Sequence, residues 1–99
     1  MIIEFDVDNT IVSQGKPGHY NKVKPFKDAV KTINKLYRSG HIIIFHTARH
    51  WKYFEETYKQ LKKFGFKFHS LVMGKINAEI IVDDRSVKSI EELKNRLGI

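Results

Sequence analysis

The sequence predicts an α/β domain built on a mainly parallel sheet of about four strands. Two observations carry that expectation. Four short apolar runs, Ile2–Phe5, Ile42–Phe45, Leu71–Met73 and Ile80–Val82, each stop at a polar or glycine residue. Continuous runs of this kind suit strands covered on both faces, as in parallel sheets. Between and after them lie stretches whose apolar residues recur at helical spacing, and such alternation favours parallel strands joined by helical crossovers.

Each element can be justified in order. The first run ends at Asp6. Residues 11–24 form a short flap; its long irregular part, Ser13–Lys24, contains His19, Tyr20 and several lysines. Phe26, Ala29, Val30, Ile33, Leu36 and Tyr37 fall on one helical stripe; Pro25 suits a first turn and Gly40 a stop. The second run ends at His46 and Thr47. Trp51, Phe54, Tyr58 and Leu61 form a second stripe closed by Gly65, which places Trp51 in the core. Stacking on a base or sugar is the other reading of Trp51, and it extends to Tyr20. The third run stops at Gly74 and the fourth at Asp83. Val87, Ile90, Leu93 and Leu97 form a last stripe, with Ser86 as its N-cap and Gly98 near its end. The chain of 99 residues is expected to form a single domain spanning residues 1–99.

Composition narrows the chemistry. The formal net charge is +7, so the field favours an anionic partner: a phosphorylated small molecule, a nucleic acid or an anionic lipid surface. Lys27, Lys31 and Lys35 sit at helical spacing and read as a solvated face. There is no cysteine, hence no disulfide and no thiolate metal site; a bound metal must use oxygen or histidine ligands. No apolar run approaches the ~20 residues of a membrane helix, and Met1–Phe5 is too short for a signal peptide. A soluble, cytoplasmic protein is expected.

In an open parallel sheet, ligands bind beyond the carboxyl ends of the strands. There the sequence supplies Asp6, Asp8 and Thr10, then Thr47, then Lys75, then Asp83 and Asp84. Clustered carboxylates repel one another unless a cation sits among them. Hard oxygen donors favour Mg²⁺, which also binds phosphate oxygens. A carboxylate can attack phosphorus to give an acyl phosphate, and a neighbouring acid can move the protons. A lysine and a threonine can hold the remaining phosphoryl oxygens.

The segments Phe5-Asp6-Val7-Asp8-Asn9-Thr10, Ile44-Phe45-His46-Thr47-Ala48-Arg49, Gly74-Lys75 and Ile81-Val82-Asp83-Asp84-Arg85 resemble the four ordered motifs of the haloacid dehalogenase (HAD) superfamily. The layout looks most like its small capless phosphatases. The resemblance implies a three-layer, Rossmann-like core without a cap domain, and a Mg²⁺-dependent phosphomonoester hydrolase working through an aspartyl-phosphate. It implies Asp6 as nucleophile and Asp8 as general acid and base. Thr47 and Lys75 would hold the phosphoryl oxygens, and Arg49 is expected to bind substrate with them. Asp6, Asp8 through its carbonyl, Asp83 and, through water, Asp84 would bind the metal. His46, where many relatives carry an apolar residue, reads as a satisfied core or rim histidine.

The substrate is expected to be a bulky phosphorylated sugar or nucleotide, because the flap is too small to enclose a site. Lys16, Lys22, Lys24, Arg49 and Arg85 are expected to rim an open mouth, unless a neighbouring subunit of a homo-oligomer covers it. The alternative is a polynucleotide end phosphatase, or a nucleic-acid-binding protein using the basic surface. Against the latter, the helical lysines lack the aromatic interleaving of a single-strand platform.

Overall fold

The computed structural model describes residues 1–99. Three parallel strands form one sheet in the order β1-β2-β3: β1 is Ile2–Phe5, β2 Ile42–His46 and β3 Ser70–Val72. Helix α1 (Lys27–Arg38) connects β1 to β2, and α2 (Phe54–Lys63), entered through a 3-10 turn at Trp51–Tyr53, connects β2 to β3. Helix α3 (Ile90–Leu97) follows and packs on α1, where Lys94 Nζ meets Asp28 Oδ1 at 3.2 Å. No helix is long and apolar enough to cross a membrane.

The fourth expected strand does not form. Ile80–Val82 pairs with nothing and is solvent-exposed, with Val82 at 95 %. Three β-branched residues favour an extended backbone, but ladder bonds to a neighbour are what make a strand. The outer edge of β1 carries no partner.

The runs were expected to be covered on both faces; instead one face packs. In β2, Ile43 and Phe45 are buried while Ile42 is exposed and Ile44 and His46 are half-buried. Parallel register puts Ile3, Phe5, Ile43, Phe45 and Leu71 on one side of the pleat. That side meets Ala29, Ile33 and Leu36 of α1, Leu61 of α2, and Phe66 and Phe68 to make the core. Strands added in one direction place successive crossover helices on the same face. The opposite face, bearing Ile2, Glu4, Ile44, His46 and Val72, has no covering layer over it, so the expected three layers reduce to two.

Phe45 stands at the centre of this core. It meets Phe5 and Phe66 edge-on, with centroids 6.2 and 5.6 Å apart, and Phe68 at 4.8 Å. Two polar clasps fix the periphery. Asn34 of α1 donates to the Gly65 carbonyl and accepts from the Lys67 amide, both at 2.8 Å, holding the turn after α2. His69 Nδ1 accepts from the Ile43 amide at 3.0 Å and continues the β2–β3 ladder through a side chain.

The cap of α3 differs from expectation. Ser89, not Ser86, is the N-cap, and its hydroxyl accepts from the Glu92 amide at 3.1 Å. Glu92 reaches back to the Lys88 amide at 2.8 Å, close to a capping box. Pro25 precedes α1 rather than entering it, and pairs with Val12 in an isolated bridge.

Phe45→Ala should cost about 3–5 kcal/mol, the range for emptying an aromatic site in a packed core. Chemical denaturation with an unchanged m-value would measure it. A loss below ~1 kcal/mol would show that Phe66 and Phe68 collapse into the space.

Candidate functional site

The site begins with a tight turn after β1. The Val7 carbonyl accepts from the amides of Thr10, Ile11 and Val12 at 3.0–3.2 Å. Closing that turn requires Asn9 at φ 62, a left-handed conformation that asparagine tolerates. Val7, Ile11 and Val12 are fully buried. Residues 11 and 12, expected in the flap, therefore belong to the core. The flap proper is Ser13–Lys24, and its neck is clasped: the Ser13 amide donates to the Lys24 carbonyl at 2.8 Å, and the Lys24 amide to Ser13 Oγ at 2.9 Å.

The turn aims Asp6 and Asp8 past the sheet. Asp8 meets Arg49, which follows β2. Arg49 Nε donates to Asp8 Oδ2 at 2.9 Å and Nη2 to Oδ1 at 2.7 Å, a bidentate pair. The other amino group, Nη1, donates to Thr57 Oγ1 at 3.0 Å and Gln60 Oε1 at 3.2 Å, both on α2. The Tyr20 ring covers the guanidinium at 4.0 Å, and Gln60 Nε2 donates to the Tyr20 carbonyl. Arg49 is only 2 % exposed. It was expected on the rim, meeting substrate; instead it is buried in the protein and holds Asp8. Tyr20, a candidate for stacking on substrate, is likewise buried, edge-on to Tyr53 at 4.9 Å. Burial, and then the nearby Asp8 carboxylate, push the Tyr20 hydroxyl above its usual range.

Gly15 explains how close the flap comes. A Cβ there would stand 2.5 Å from Asp8 Oδ1 and 2.7 Å from Tyr20 Cδ1. Only a glycine lets the flap backbone lie against the Asp8–Arg49 pair.

On the other side of Asp6, the loops after β2 and β3 are laced together. The Thr47 amide donates to the Val72 carbonyl at 2.9 Å, the Lys75 amide to the Thr47 carbonyl at 2.9 Å, and the Gly74 amide to the Arg49 carbonyl at 3.0 Å. Thr47 Oγ1 is buried and accepts from the Arg49 amide at 3.2 Å. Asp6 itself is half-buried, and burial pushes its carboxyl above the usual range. The Val7 amide and the Lys75 ammonium act against that rise, Asp8 adds to it, and His46 opposes it. His46 is half-buried and pairs with Glu4 across β1 and β2 at 2.8 Å, as a satisfied rim histidine.

The structure thus gathers Asp6, Asp8, Thr47 and Lys75 at the carboxyl ends of three adjacent strands. Asp83 and Asp84 do not join them. They occupy a separate exposed turn, where Asp83 Oδ1 accepts from the Arg85 amide at 2.8 Å and Asp84 lies 3.7 Å from Arg85 Nε. Nowhere do three acidic or histidine side chains converge closely enough to hold a metal ion. The residues as arranged do not fit the expected Mg²⁺ site. Trp51, expected in the core with stacking on a base or sugar as the other reading, is 59 % exposed beside Gly74.

No family model and no curated protein matches the chain. A crystal structure of a structural-genomics target from Vibrio cholerae is similar in fold, with a TM-score of 0.71. It is 21 % identical, over 91 % of this chain and 85 % of that one. A likeness at that identity shows the shared fold.

Two predictions rest on these contacts. Arg49→Met should destabilise the fold by about 3–5 kcal/mol, because it strands the Asp8 carboxylate and the two α2 acceptors. A denaturation midpoint equal to wild type would refute the pairing. Asp6→Asn should do the opposite. With its folded pKa raised, Asp6 binds more protons in the native than in the unfolded state. Stability therefore falls as pH rises from about 3.8, the unfolded value, through the folded value. A neutral amide at this position would be free of that penalty. In chelator at pH 7, Asp6→Asn should melt higher than wild type, by ~4–8 °C for each ~1 kcal/mol recovered. The advantage should vanish below about pH 3.8. A lower melting temperature at pH 7 would contradict it.

Proposed function

We propose that this chain is a haloacid dehalogenase-type phosphomonoester hydrolase with a Rossmann-like core and no cap. One observation carries the reading. A half-buried carboxylate whose desolvation is only partly offset, Asp6, faces a lysine whose backbone is tied to a buried threonine, all at the carboxyl ends of parallel strands. A desolvated carboxylate is a better nucleophile than a hydrated one, and a free ammonium beside it suits a dianionic phosphoryl group.

In the first step, an Asp6 oxygen bonds to phosphorus as the bond from phosphorus to the leaving oxygen breaks. The leaving oxygen takes its proton from water, because both oxygens of Asp8 accept from Arg49 and hold it as a carboxylate. In the second step, water attacks the aspartyl-phosphate, Asp8 takes the water's proton, and Asp6 and inorganic phosphate are released. Asp8 then returns that proton to solvent, which restores its pair with Arg49. Lys75 and the Thr47 hydroxyl hold the remaining phosphoryl oxygens. Arg49 is the positioning residue, keeping the Asp8 carboxylate aimed as it takes the water's proton.

Mg²⁺ belongs to the proposal on donor chemistry alone, since the available donors are oxygen and histidine. Asp83 and Asp84 stand outside the group, so the steps above use side chains only.

The test is hydrolysis of an aryl phosphate with Mg²⁺ and with chelator. Asp6→Asn should fall to background. Asp8→Asn should lose ~10²–10⁴-fold in kcat, the usual worth of a positioned acid or base. Lys75→Met should lose ~10²–10³-fold, as when one transition-state donor is removed. Mass spectrometry of quenched wild type should find phosphate on the peptide containing Asp6. A folded Asp6→Asn protein that still turns over would remove the covalent mechanism. Equal rates with chelator would remove Mg²⁺ from the proposal.

A further inference from the structure

A stripe of aromatic rings runs from the rim of the site along α2. Trp51 and Phe54 lie 6.4 Å apart at 20°, and Phe54 and Tyr58 5.9 Å apart at 24°. At those separations nearly parallel rings are offset side by side, so each leaves surface to solvent. All three are exposed, Trp51 most of all. Tyr58 is braced edge-on against Phe68 at 5.5 Å, which fixes the stripe to the core.

A cation stands at one end, and the loop that carries another meets the opposite end. Lys62 Nζ lies 5.5 Å from the Tyr58 ring and 4.6 Å from Phe68. At the other end, Gly74 sits so close that a Cβ would be 2.9 Å from the Trp51 indole nitrogen, and the next residue is Lys75. The acids of α2 do not cancel this charge. Glu55 is 3.3 Å from Lys59, and the charge of Glu56 is felt on the side of the helix that faces Tyr20.

We propose that Trp51, Phe54 and Tyr58 form a stacking platform for single-stranded nucleic acid, whose terminal phosphate lies at Lys75. The proposal deepens the phosphatase reading and rests on it for the fate of that phosphate. Flat rings at successive positions accept bases without regard to sequence, and lysines at both ends hold the backbone. The net charge of +7 favours a polyanion over a neutral polymer of sugar rings. The aromatic interleaving that the lysine pattern lacked is thus supplied by the helix that enters from the site.

Binding can be measured without turnover, using the Asp6→Asn protein and a labelled single-stranded DNA of about ten nucleotides, within the span of such grooves. Trp51 is the only tryptophan, so its fluorescence reports on the platform directly. The expected result is quenching on binding and an affinity that falls steeply with salt. Trp51→Leu and Tyr58→Leu, followed by anisotropy, should each weaken binding by about 10-fold, the effect of one lost stacking contact. Lys62→Gln, which removes no ring, should weaken it while lowering the salt slope.

Unchanged affinity in the folded Trp51→Leu and Tyr58→Leu proteins would overturn the platform. So would inorganic polyphosphate of equal charge competing as well as the oligonucleotide, or a neutral glucan quenching Trp51 where DNA does not. Wild-type hydrolysis of an aryl phosphate with no oligonucleotide binding would sink the platform and spare the phosphatase reading. Ring-dependent binding with no phosphatase activity would support the platform and overturn that reading.

Discussion

A buried guanidinium is the constraint on which the structure turns. Arg49 is out of water and its charge must be answered inside the protein. Removing such an ion from solvent is offset only when geometry is good and its donors are satisfied. Here the answer comes from three separate stretches: Asp8 after β1, Tyr20 in the flap, and Thr57 and Gln60 on α2. Local propensity could not bring these together. The ion pair therefore works as a clamp, holding the flap, the turn after β1 and α2 in one relation to the strand ends. Gly15 is its corollary, since the clamp leaves no room for a side chain above Asp8.

The two basic groups at the strand ends divide the electrostatic work. Arg49 is neutralised within the protein, whereas Lys75 makes no side-chain hydrogen bond or ion pair. The Val7 amide and the free Lys75 offset the desolvation of Asp6 only in part. A fold optimised only for stability would place a neutral residue there. The local conflict between stability and charge is what marks the position as a place for chemistry.

Much of this was legible in the residues. The stripe of α1 and the first three runs named their elements correctly, because burial of one face leaves a period in the chain; the second stripe marked a helix, but Trp51, Phe54 and Tyr58 stand exposed and only Leu61 enters the core. Asp6, Asp8, Thr47 and Lys75 were placed together because strand ends of a parallel sheet converge. Ile80–Val82 misled for the opposite reason: its composition is that of a strand, but pairing is a long-range property that three residues cannot declare. The cap of α3 could have been read. Ser89 has glutamate three residues on, at Glu92, and Ser86 has only another serine. Arg49 was misplaced because a charged residue in a loop ordinarily seeks water. Its burial depends on Thr57 and Gln60, whose polar side chains carry no periodic signal. Trp51 followed the helical stripe in sequence, but that stripe itself faces solvent: Trp51 stacks on Phe54, and Phe54 and Tyr58 are exposed with it.

The unpartnered edge of β1 has a colloidal consequence. Its outward amides and carbonyls are a template for any extended chain, and the exposed Ile80–Val82 of another molecule is such a chain. What keeps copies apart is their shared positive charge, which acts over a distance that shrinks from ~30 Å at 0.01 M salt to ~8 Å at physiological ionic strength. Concentrated solutions of the protein are thus protected by dilute buffer, and salt removes the protection. A polyanion would do the same by neutralising the surface, so the partner that the charge attracts is also the agent that lets the edges meet.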